Sequence, residues 1–305
     1  MMIDETPIGQ GHRLPDFVVI GTMKSGTTSL YRWMGSQSEI FLPELKEVNF
    51  FAVDDQWIKG LDWYQALFSG ARDDQLVGEI SGSCTCPRLC EKSSGRMADL
   101  IPNSLLICVL RDPIERLRSH YRHQVQRGRE LRSLRDGLLE PESEYIGHSL
   151  YFQCLEPYLK RFDRGQICVI RFEDLTGETG AAWGHLMTSL GLPDRPRPST
   201  VYNVTGGKDQ FSRLLLWLWQ QGALPRLSAA PRPLRRIAKM LLTHRGRRYQ
   251  RRLEQSFAPI SESVLTMIWE DTRHLEQWLG VEALWSPGQI LSTHRIEPMG
   301  QNSAQ

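Results

Sequence analysis

Apolar residues lie in short continuous runs that alternate along the chain with segments of helical spacing. Four such runs predict buried strands, and they cover residues 16–21, 75–81, 104–113 and 166–175. Helical spacing follows the first and third runs and precedes the fourth. Strands that are apolar throughout and separated by helices are typical of a parallel sheet covered on both faces. The pattern therefore predicts an α/β fold.

The pattern changes beyond this core. The stretch "PDRPRP" at residues 193–198 predicts a loop or linker, and the chain after it, about 199–286, has mostly helical spacing. We expect a loose tail over 287–305. With 305 residues, the chain suits a single domain, 1–305, with a core at about 17–192 and a helical C-terminal extension.

Composition excludes a disordered chain and gives no strong overall preference for a charged partner. Hydrophobic residues make up 40% of the chain, charged residues 24%, and the formal net charge is +2. Residues 232–252 nevertheless contain nine Lys or Arg, which makes them a candidate contact for a polyanion. The alternative is a solvated basic face with one arginine at a cofactor. Aromatic residues are sparse there, so we do not expect a nucleic-acid partner.

The sequence predicts a cytoplasmic protein without a transmembrane segment. Its first residues have no apolar core, and the longest apolar run, residues 214–219, is far shorter than the roughly 20 residues that span a bilayer. Cys84, Cys86 and Cys90 form a cluster that could suggest a metal. No second cluster or pair of histidines completes such a site, so we predict free thiols and no metal.

The end of the first strand has the chemistry of a phosphate-binding loop. Gly21 and Gly26 have the spacing of an ATP-type loop, in which a lysine directly follows the second glycine. Here Thr27 takes that position, and the lysine is Lys24, inside the loop. Backbone N–H groups at a helix start still bind an anion, and Thr27 and Thr28 add hydroxyl donors. A ligand with a single 5′-phosphate and one transferable group fits better than ATP; the alternative is an ordinary strand-to-helix turn.

The stretch "GTMKSGTTSLYRWM" resembles the 5′-phosphosulfate loop of sulfotransferases that use 3′-phosphoadenosine-5′-phosphosulfate (PAPS). The resemblance implies a P-loop-like α/β fold with a central parallel sheet, and adenosine 3′,5′-bisphosphate (PAP) as a product. It assigns Lys24 to the oxygen that bridges phosphate and sulfate. The residues that it assigns to the 5′-phosphate region are Lys24, Ser25, Gly26, Thr27, Thr28 and Ser29.

A second motif, "LRDPIERLRSHY", matches the additional phosphate of PAPS. Arg111 closes a predicted strand, and Ser119 lies eight residues further, about two helical turns. This arrangement resembles the family's 3′-phosphate motif, an arginine at a strand end and a serine in the next helix. Charge-assisted bonds from arginine to phosphate are strong. The alternative is that Arg111 pairs with a carboxylate and Ser119 has no role in binding.

A third stretch, "LKEVNFF", resembles the K-E-x-x-F-F segment of heparan-type carbohydrate sulfotransferases, whose glutamate deprotonates the acceptor. The match assigns Glu47 as the general base and Lys46 to the acceptor. An attacking hydroxyl or amine must lose its proton, and a positioned carboxylate contributes about 10²–10⁴-fold. Two alternatives stay open. Glu47 is a solvated loop carboxylate, or the base is His120 or His123, as in sulfotransferases that modify phenols and steroids.

The resemblance implies further contacts in the second half of the chain. It assigns Tyr151 to the substrate cleft. The stretch "THRGRRYQ" resembles a K-G-R loop that closes over the cofactor's phosphates, with Gly246 and Arg247 as candidates. The stretch "YNVTGGKDQFSR" is the alternative, through Lys208 or Arg213.

The sequence thus predicts a sulfotransferase that acts on a hydroxyl or amine, foremost of a carbohydrate, with a non-carbohydrate small molecule or lipid as the alternative. Heparan-type enzymes carry E-K-[ST] after the base loop, with an acceptor-contacting lysine, whereas Ile80 stands here. A chain without an anchor resembles the bacterial members. Two other classes stay open: a P-loop nucleotide kinase, and a catalytically idle binding protein on the same fold.

Overall fold

The computed structural model describes residues 13–140, 142–177, 180–198 and 254–291. Its strands form one parallel sheet in the order β2-β3-β1-β4-β5. They are β1 (Phe17–Gly21), β2 (Ile40–Phe41), β3 (Leu76–Ile80), β4 (Leu105–Leu110) and β5 (Ile167–Arg171). The predicted α/β fold with a central parallel sheet is confirmed. Strand β2 was not predicted, because two residues are too short to show a period.

Helices cover both faces of the sheet. They are α1 (Thr27–Met34), α2 (Asp54–Trp57), α3 (Gly60–Ala66), α4 (Cys90–Leu100), α5 (Pro113–Gln126), α6 (Leu134–Leu138), α7 (Glu144–Gly147), α8 (Tyr151–Leu159), α9 (Phe172–Thr176), α10 (Ala181–Ser189), α11 (Glu262–Leu279) and α12 (Pro287–Leu291). Short 3-10 turns occupy Gly82–Thr85 and Arg164–Gln166. None of the helices in the described ranges is both long and apolar enough to cross a bilayer.

Two boundaries differ from the sequence prediction. The run predicted as a strand over 166–175 is divided, since β5 ends at Arg171 and α9 begins at Phe172. Glu173 and Asp174 lie in the first turn of α9, where acidic side chains favour a helix. The expected tail begins with a short helix, α12, whose Ile290 is buried.

Two apolar clusters fix the sheet between its helices. One includes Val18 and Ile20 of β1 and side chains of α3, α4, α5, α8 and α11. The other includes Phe17 and Val19 and side chains of α1 and α10. Alternate residues of β1 therefore pack on opposite faces, as the period of two along a strand requires.

The C-terminal helix α11 is anchored to the core through a buried carboxylate. Asp271 accepts hydrogen bonds from the backbone N–H groups of Phe152 (2.9 Å) and Gln153 (3.0 Å), at the start of α8. A helix start has unpaired N–H groups, so this carboxylate caps α8 from another helix. Burial raises the pKa of Asp271 to about 6, although these bonds oppose the shift.

The central strands end together at one edge of the sheet. Strand β1 lies between β3 and β4, with Val19 in register with Ile80 and Gly21 in register with Cys108. The segments that leave these strands are the loop before α1, the turn Gly82–Thr85 and the start of α5. In open parallel sheets this edge is where ligands bind.

Candidate active site

The loop between β1 and α1 has a tight backbone that its sequence allows. Gly26, directly before α1, has φ 82°, and a Cβ there would lie 2.4 Å from the ring of Phe172. Lys24 is also left-handed, with φ 74°. The hydroxyls of Thr22 and Ser25 lie 2.6 Å apart within the loop. Because the first N–H groups of a helix have no intrahelical partner, the start of α1 suits an anion.

A group of arginines lies beside this loop. The Nη1 atom of Arg111 is 3.5 Å from the carbonyl oxygen of Lys24. Glu115 of α5 lies 3.4–3.7 Å from Arg111, Arg118 and Arg122. The alternative that Arg111 pairs with a carboxylate is thus met in part, but one carboxylate faces three guanidinium groups. Arg118 and Arg122 were missed from the sequence, although their helical spacing from Glu115 was a signal.

Helix α5 begins with a side-chain cap and a proline. Asp112 accepts hydrogen bonds from the N–H groups of Ile114 and Glu115, both at 2.9 Å, and Pro113 is the first helical residue. Ser119 lies on this helix and is 1% exposed. The fold thus places Arg111 at the end of β4 and Ser119 in the following helix, while their contact with a phosphate stays a prediction.

The carboxylate of Glu47 is held by two donors. Lys46 Nζ donates to Oε1 at 2.9 Å, and the backbone N–H of Gly82 donates to Oε2 at 2.8 Å. The Glu47 side chain is 36% exposed, so an acceptor can still reach it. These contacts argue against a freely solvated loop carboxylate. They give the carboxylate one orientation, which a general base requires.

The backbone around Glu47 is fixed to the end of β3. Glu47 and Asn49 are both left-handed, with φ 61° and 56°. The N–H of Glu47 donates to the carbonyl of Ile80 at 3.1 Å, and the N–H of Asn49 donates to Ser81 Oγ at 2.9 Å. The Asn49 side chain closes the turn by donating to the Glu47 carbonyl at 3.0 Å. We call this segment, residues 46–49, the base loop.

Gly82 brings the base loop and the phosphate loop together. A Cβ on Gly82 would lie 3.7 Å from Oε2 of Glu47 and 4.0 Å from the backbone nitrogen of Met23. The same 3-10 turn touches β1, because a Cβ on Gly21 would lie 2.1 Å from Thr85 Oγ1. The residues predicted separately as base and phosphate loop are therefore neighbours. Gly82 itself was not singled out from the sequence.

The rival base His120 is deeply buried. Its Nδ1 lies 3.5 Å from Arg116 Nη1, and its Nε2 lies 3.3 Å from Gln124 Nε2. Burial, with the charge of Arg116, holds the pKa of His120 far below its usual range, and burial lowers that of His148 beside it to about 3. An imidazole enclosed in this way is poorly placed to meet an acceptor, which argues against His120 as the base. His123, the other rival, lies on the same helix and is half-buried.

Hydrogen bonds of Tyr151 and Arg116 fix the start of α5. Tyr151 is fully buried, and its hydroxyl donates to the carbonyl of Arg111 at 2.7 Å. Arg116, also fully buried, donates through Nε to Ser149 Oγ at 2.8 Å, and that hydroxyl donates to the Pro113 carbonyl at 2.8 Å. Tyr151 thus helps to fix the backbone of Arg111, while its predicted contact with the substrate stays a prediction.

A cavity of about 1020 Å³ lies beyond the Gly82–Thr85 turn. Its walls come from the segment after that turn, from the α6–α8 region and from the start of α11. About half of the lining side chains are apolar, and the charged ones have both signs. The residues that line the cavity include Cys86, Pro87, Arg88, Arg135, Leu138, Leu139, Glu142, Glu144, His148, Ile260, Val264 and Met267. Ile80, which stands where heparan-type enzymes carry a lysine, does not line this cavity. It is buried in the core cluster with α1 and α10.

Some predicted features lie outside the described residues. These are the closing-loop candidates Gly246 and Arg247, the alternatives Lys208 and Arg213, and the basic stretch 232–252. Cys84, Cys86 and Cys90 are described, and they are free thiols. Burial raises the pKa of each of the three.

The chain is similar to several known proteins. A family model described as a sulfotransferase domain matches residues 14–201. Membrane-associated sulfotransferase kil1 of Dictyostelium discoideum is 35% identical over 121 residues, which cover 37% of this chain and 24% of that protein. Heparan sulfate glucosamine 3-O-sulfotransferase 3A1 of Mus musculus is 27% identical over 188 residues, 59% of this chain and 46% of that protein. The matches thus span about a quarter to a half of these relatives.

A solved structure supports the fold. The crystal structure of a sulfotransferase from Alicyclobacillus acidocaldarius matches with a TM-score of 0.61 at 22% identity, covering 88% of this chain and 97% of that one. At this identity the likeness establishes the architecture alone.

Proposed function

Because the chain belongs to the sulfotransferase family, we propose that it transfers a sulfuryl group from PAPS to a hydroxyl or amine. The observation that carries this proposal is the position of Gly82 between the two loops. Its backbone N–H donates to the Glu47 carboxylate at 2.8 Å, and a Cβ on Gly82 would lie 4.0 Å from the backbone nitrogen of Met23 in the phosphate loop. An acceptor at Glu47 would therefore stand next to a donor bound at α1, which is the arrangement that direct transfer needs.

The residues present fit a donor with two separated phosphate groups. The start of α1, with Lys24 and the hydroxyls of the loop, suits the 5′ end. Arg111 and Ser119, with Arg118 and Arg122 near Arg111, suit the 3′-phosphate, because among the described residues the three arginines share the one carboxylate of Glu115. When bound, PAPS supplies the sulfuryl group on its 5′-phosphate.

Glu47 and Lys24 divide the chemistry between them. Glu47 removes the proton from the acceptor as its oxygen or nitrogen attacks sulfur, and Lys46 steadies the carboxylate. Lys24 stabilises the negative charge that develops on the leaving phosphate. The chain's own groups thus supply base, positioning and charge, and we propose no metal in the reaction.

A carbohydrate is the acceptor class that we propose first. The support is the resemblance of the base loop to heparan-type enzymes and the match to relatives named as heparan sulfate sulfotransferases. A non-carbohydrate acceptor is the second candidate, and the cavity favours it. Its walls combine apolar side chains with two arginines and three glutamates, whereas a polyanionic glycan would favour a uniformly basic surface.

Titration calorimetry with adenosine 3′,5′-bisphosphate, against ADP and ATP, tests the donor. We expect tight binding of the bisphosphate and weak binding of both controls. Preference for ATP or ADP would support the alternative class, a P-loop nucleotide kinase. No binding of any of the three nucleotides would refute the proposal that the protein uses PAPS. Turnover with PAPS and a panel of sugars, alcohols and amines then separates an enzyme from a binding protein.

A further inference from the structure

Glu79 is a buried carboxyl group that the reaction above does not use. It lies in β3, in register with Val18 of the central strand, and it is 0% exposed. Neither of its carboxyl oxygens, nor the hydroxyl of Tyr64, has a hydrogen-bond partner of regular geometry in the part of the chain that the structure describes. Among the described residues no Lys, Arg or His forms an ion pair with this carboxyl, and a fully buried carboxyl without a cationic partner is rare enough to point to function.

Glu79 lies directly before the residues that hold the base loop. Ile80 accepts from the N–H of Glu47, Ser81 accepts from the N–H of Asn49, and Gly82 donates to the Glu47 carboxylate. Three successive residues after Glu79 therefore set the position of the base. A change of charge on Glu79 acts on the segment to which the base is fixed.

The groups around Glu79 come from three neighbouring segments. Tyr64 belongs to α3, Cys84 to the 3-10 turn and Glu47 to the base loop, and each interacts electrostatically with Glu79. Lys46 lies on the outer side of this set, paired with Glu47. Burial raises the pKa of Glu79 to about 8, the charge of Glu47 adds to the shift, and the hydroxyls of Ser81 and Tyr64 oppose it.

We propose that Glu79 is a positioning residue that serves the base as an uncharged carboxylic acid, leaving the negative charge of this carboxyl pair on Glu47. This inference rests on the proposed role of Glu47. Two interacting carboxyls do not both ionise readily, and their titrations are coupled. Ionised Glu79 would add a buried negative charge close to a site for an anionic donor, and would repel both the donor and the Glu47 carboxylate.

The first test follows donor affinity as a function of pH. The Michaelis constant for PAPS is measured from about pH 6 to pH 9.5 in the wild type and in Glu79→Gln, in which an amide replaces the neutral acid. We expect the wild-type constant to rise about 3- to 10-fold above pH 8, as one pKa unit of coupling allows. We expect Glu79→Gln to lack this rise. Identical pH profiles would overturn the proposal.

The neutral variant also separates positioning from packing. If the uncharged acid is the working form, Glu79→Gln should retain kcat at pH 7 within about threefold of the wild type. A loss of 10²-fold or more in a folded variant would show that the ionised form is needed, which contradicts the proposal. Glu276→Gln is the control, because Glu276 is equally buried but lies in α11, paired with Arg273 at 2.8 Å.

A second test does not depend on sulfuryl transfer. Carbon NMR of protein labelled at the glutamate carboxyl carbons should show one group that titrates near pH 8 and is absent in Glu79→Gln but present in Glu276→Gln. A missing high-pH titration would overturn the protonation state proposed here, even if the bisphosphate binds. A titrating Glu79 in a protein that does not bind the bisphosphate would instead count against the proposed function alone.

Discussion

The donor side and the acceptor side of this site are built in different ways. On the donor side, two motifs that are each continuous in sequence, the loop from β1 to α1 and the start of α5, present the charged groups. On the acceptor side, Glu47 depends on Gly82, Ser81 and Ile80, which lie more than thirty residues away. The donor side is therefore a property of local motifs. The acceptor side is a property of packing, and the two respond differently to substitution.

The largest effect should come from Glu47→Gln, which removes the base and keeps the shape. We expect kcat to fall at least 10²-fold, while the affinity for the bisphosphate stays nearly unchanged. Kinetics and calorimetry on the same preparation measure both quantities. Glu44→Gln, in the same stretch, is the control and should behave as the wild type. Wild-type turnover in Glu47→Gln would move the base to a histidine.

Arg111→Ala tests the donor side in the opposite sense. Loss of a charge-assisted contact to phosphate should weaken bisphosphate binding by about 2 kcal/mol, roughly 30-fold. Calorimetric titration gives the affinity directly. Arg72→Ala, at the opposite edge of the sheet and paired with Asp74, should leave binding unchanged. Unchanged affinity in Arg111→Ala would remove this arginine from the donor site.

The pH dependence of folding stability should reveal Glu79 without any ligand. Its pKa is raised from 4.5 to about 8 in the folded protein, so the folded state holds this proton more tightly than the unfolded state. The stability that the protonated group contributes is complete below about pH 4.5 and is lost as pH rises towards 8. Relative to Glu79→Gln, the wild type should lose up to about 1.4 kcal/mol per pH unit across that window.

Denaturant unfolding of both proteins at several pH values measures this difference. The difference should grow from pH 5 to pH 8 and become constant above it. If the free energy of unfolding changes equally with pH in the wild type and in Glu79→Gln, Glu79 has an ordinary pKa in the folded protein.

The smallest effect is expected for Ser81→Ala, which leaves the N–H of Asn49 without its acceptor. An unmade buried hydrogen bond costs about 1 kcal/mol, so we expect a roughly fivefold loss of kcat through a less well-fixed base loop. Donor affinity should not change, which sets this variant apart from Arg111→Ala. Ser69→Ala removes a hydroxyl that bonds the Ala66 carbonyl on the surface and serves as the control.

The sequence was informative wherever structure follows from local pattern. The central strands, the start of α5 and the loop around Lys24 were predictable, because apolar runs, an N-cap and glycine spacing are local signals. Gly82 and Glu79 were not, since their roles arise only when β3 is placed beside β1 and the base loop. The boundary at Phe172 was missed because an apolar run continues across the change from strand to helix.

The 3-10 turn at Gly82–Thr85 has a consequence for redesign of this protein. It touches the base, the phosphate loop and β1 at once, while the cavity walls begin only at Cys86. If the cavity holds the acceptor, its lining side chains, such as Leu138, Leu139 and Met267, can be exchanged to test other acceptors while this turn keeps its place beside Glu47 and Met23. The four residues of the turn, Gly82–Thr85, should be left unchanged in such a redesign.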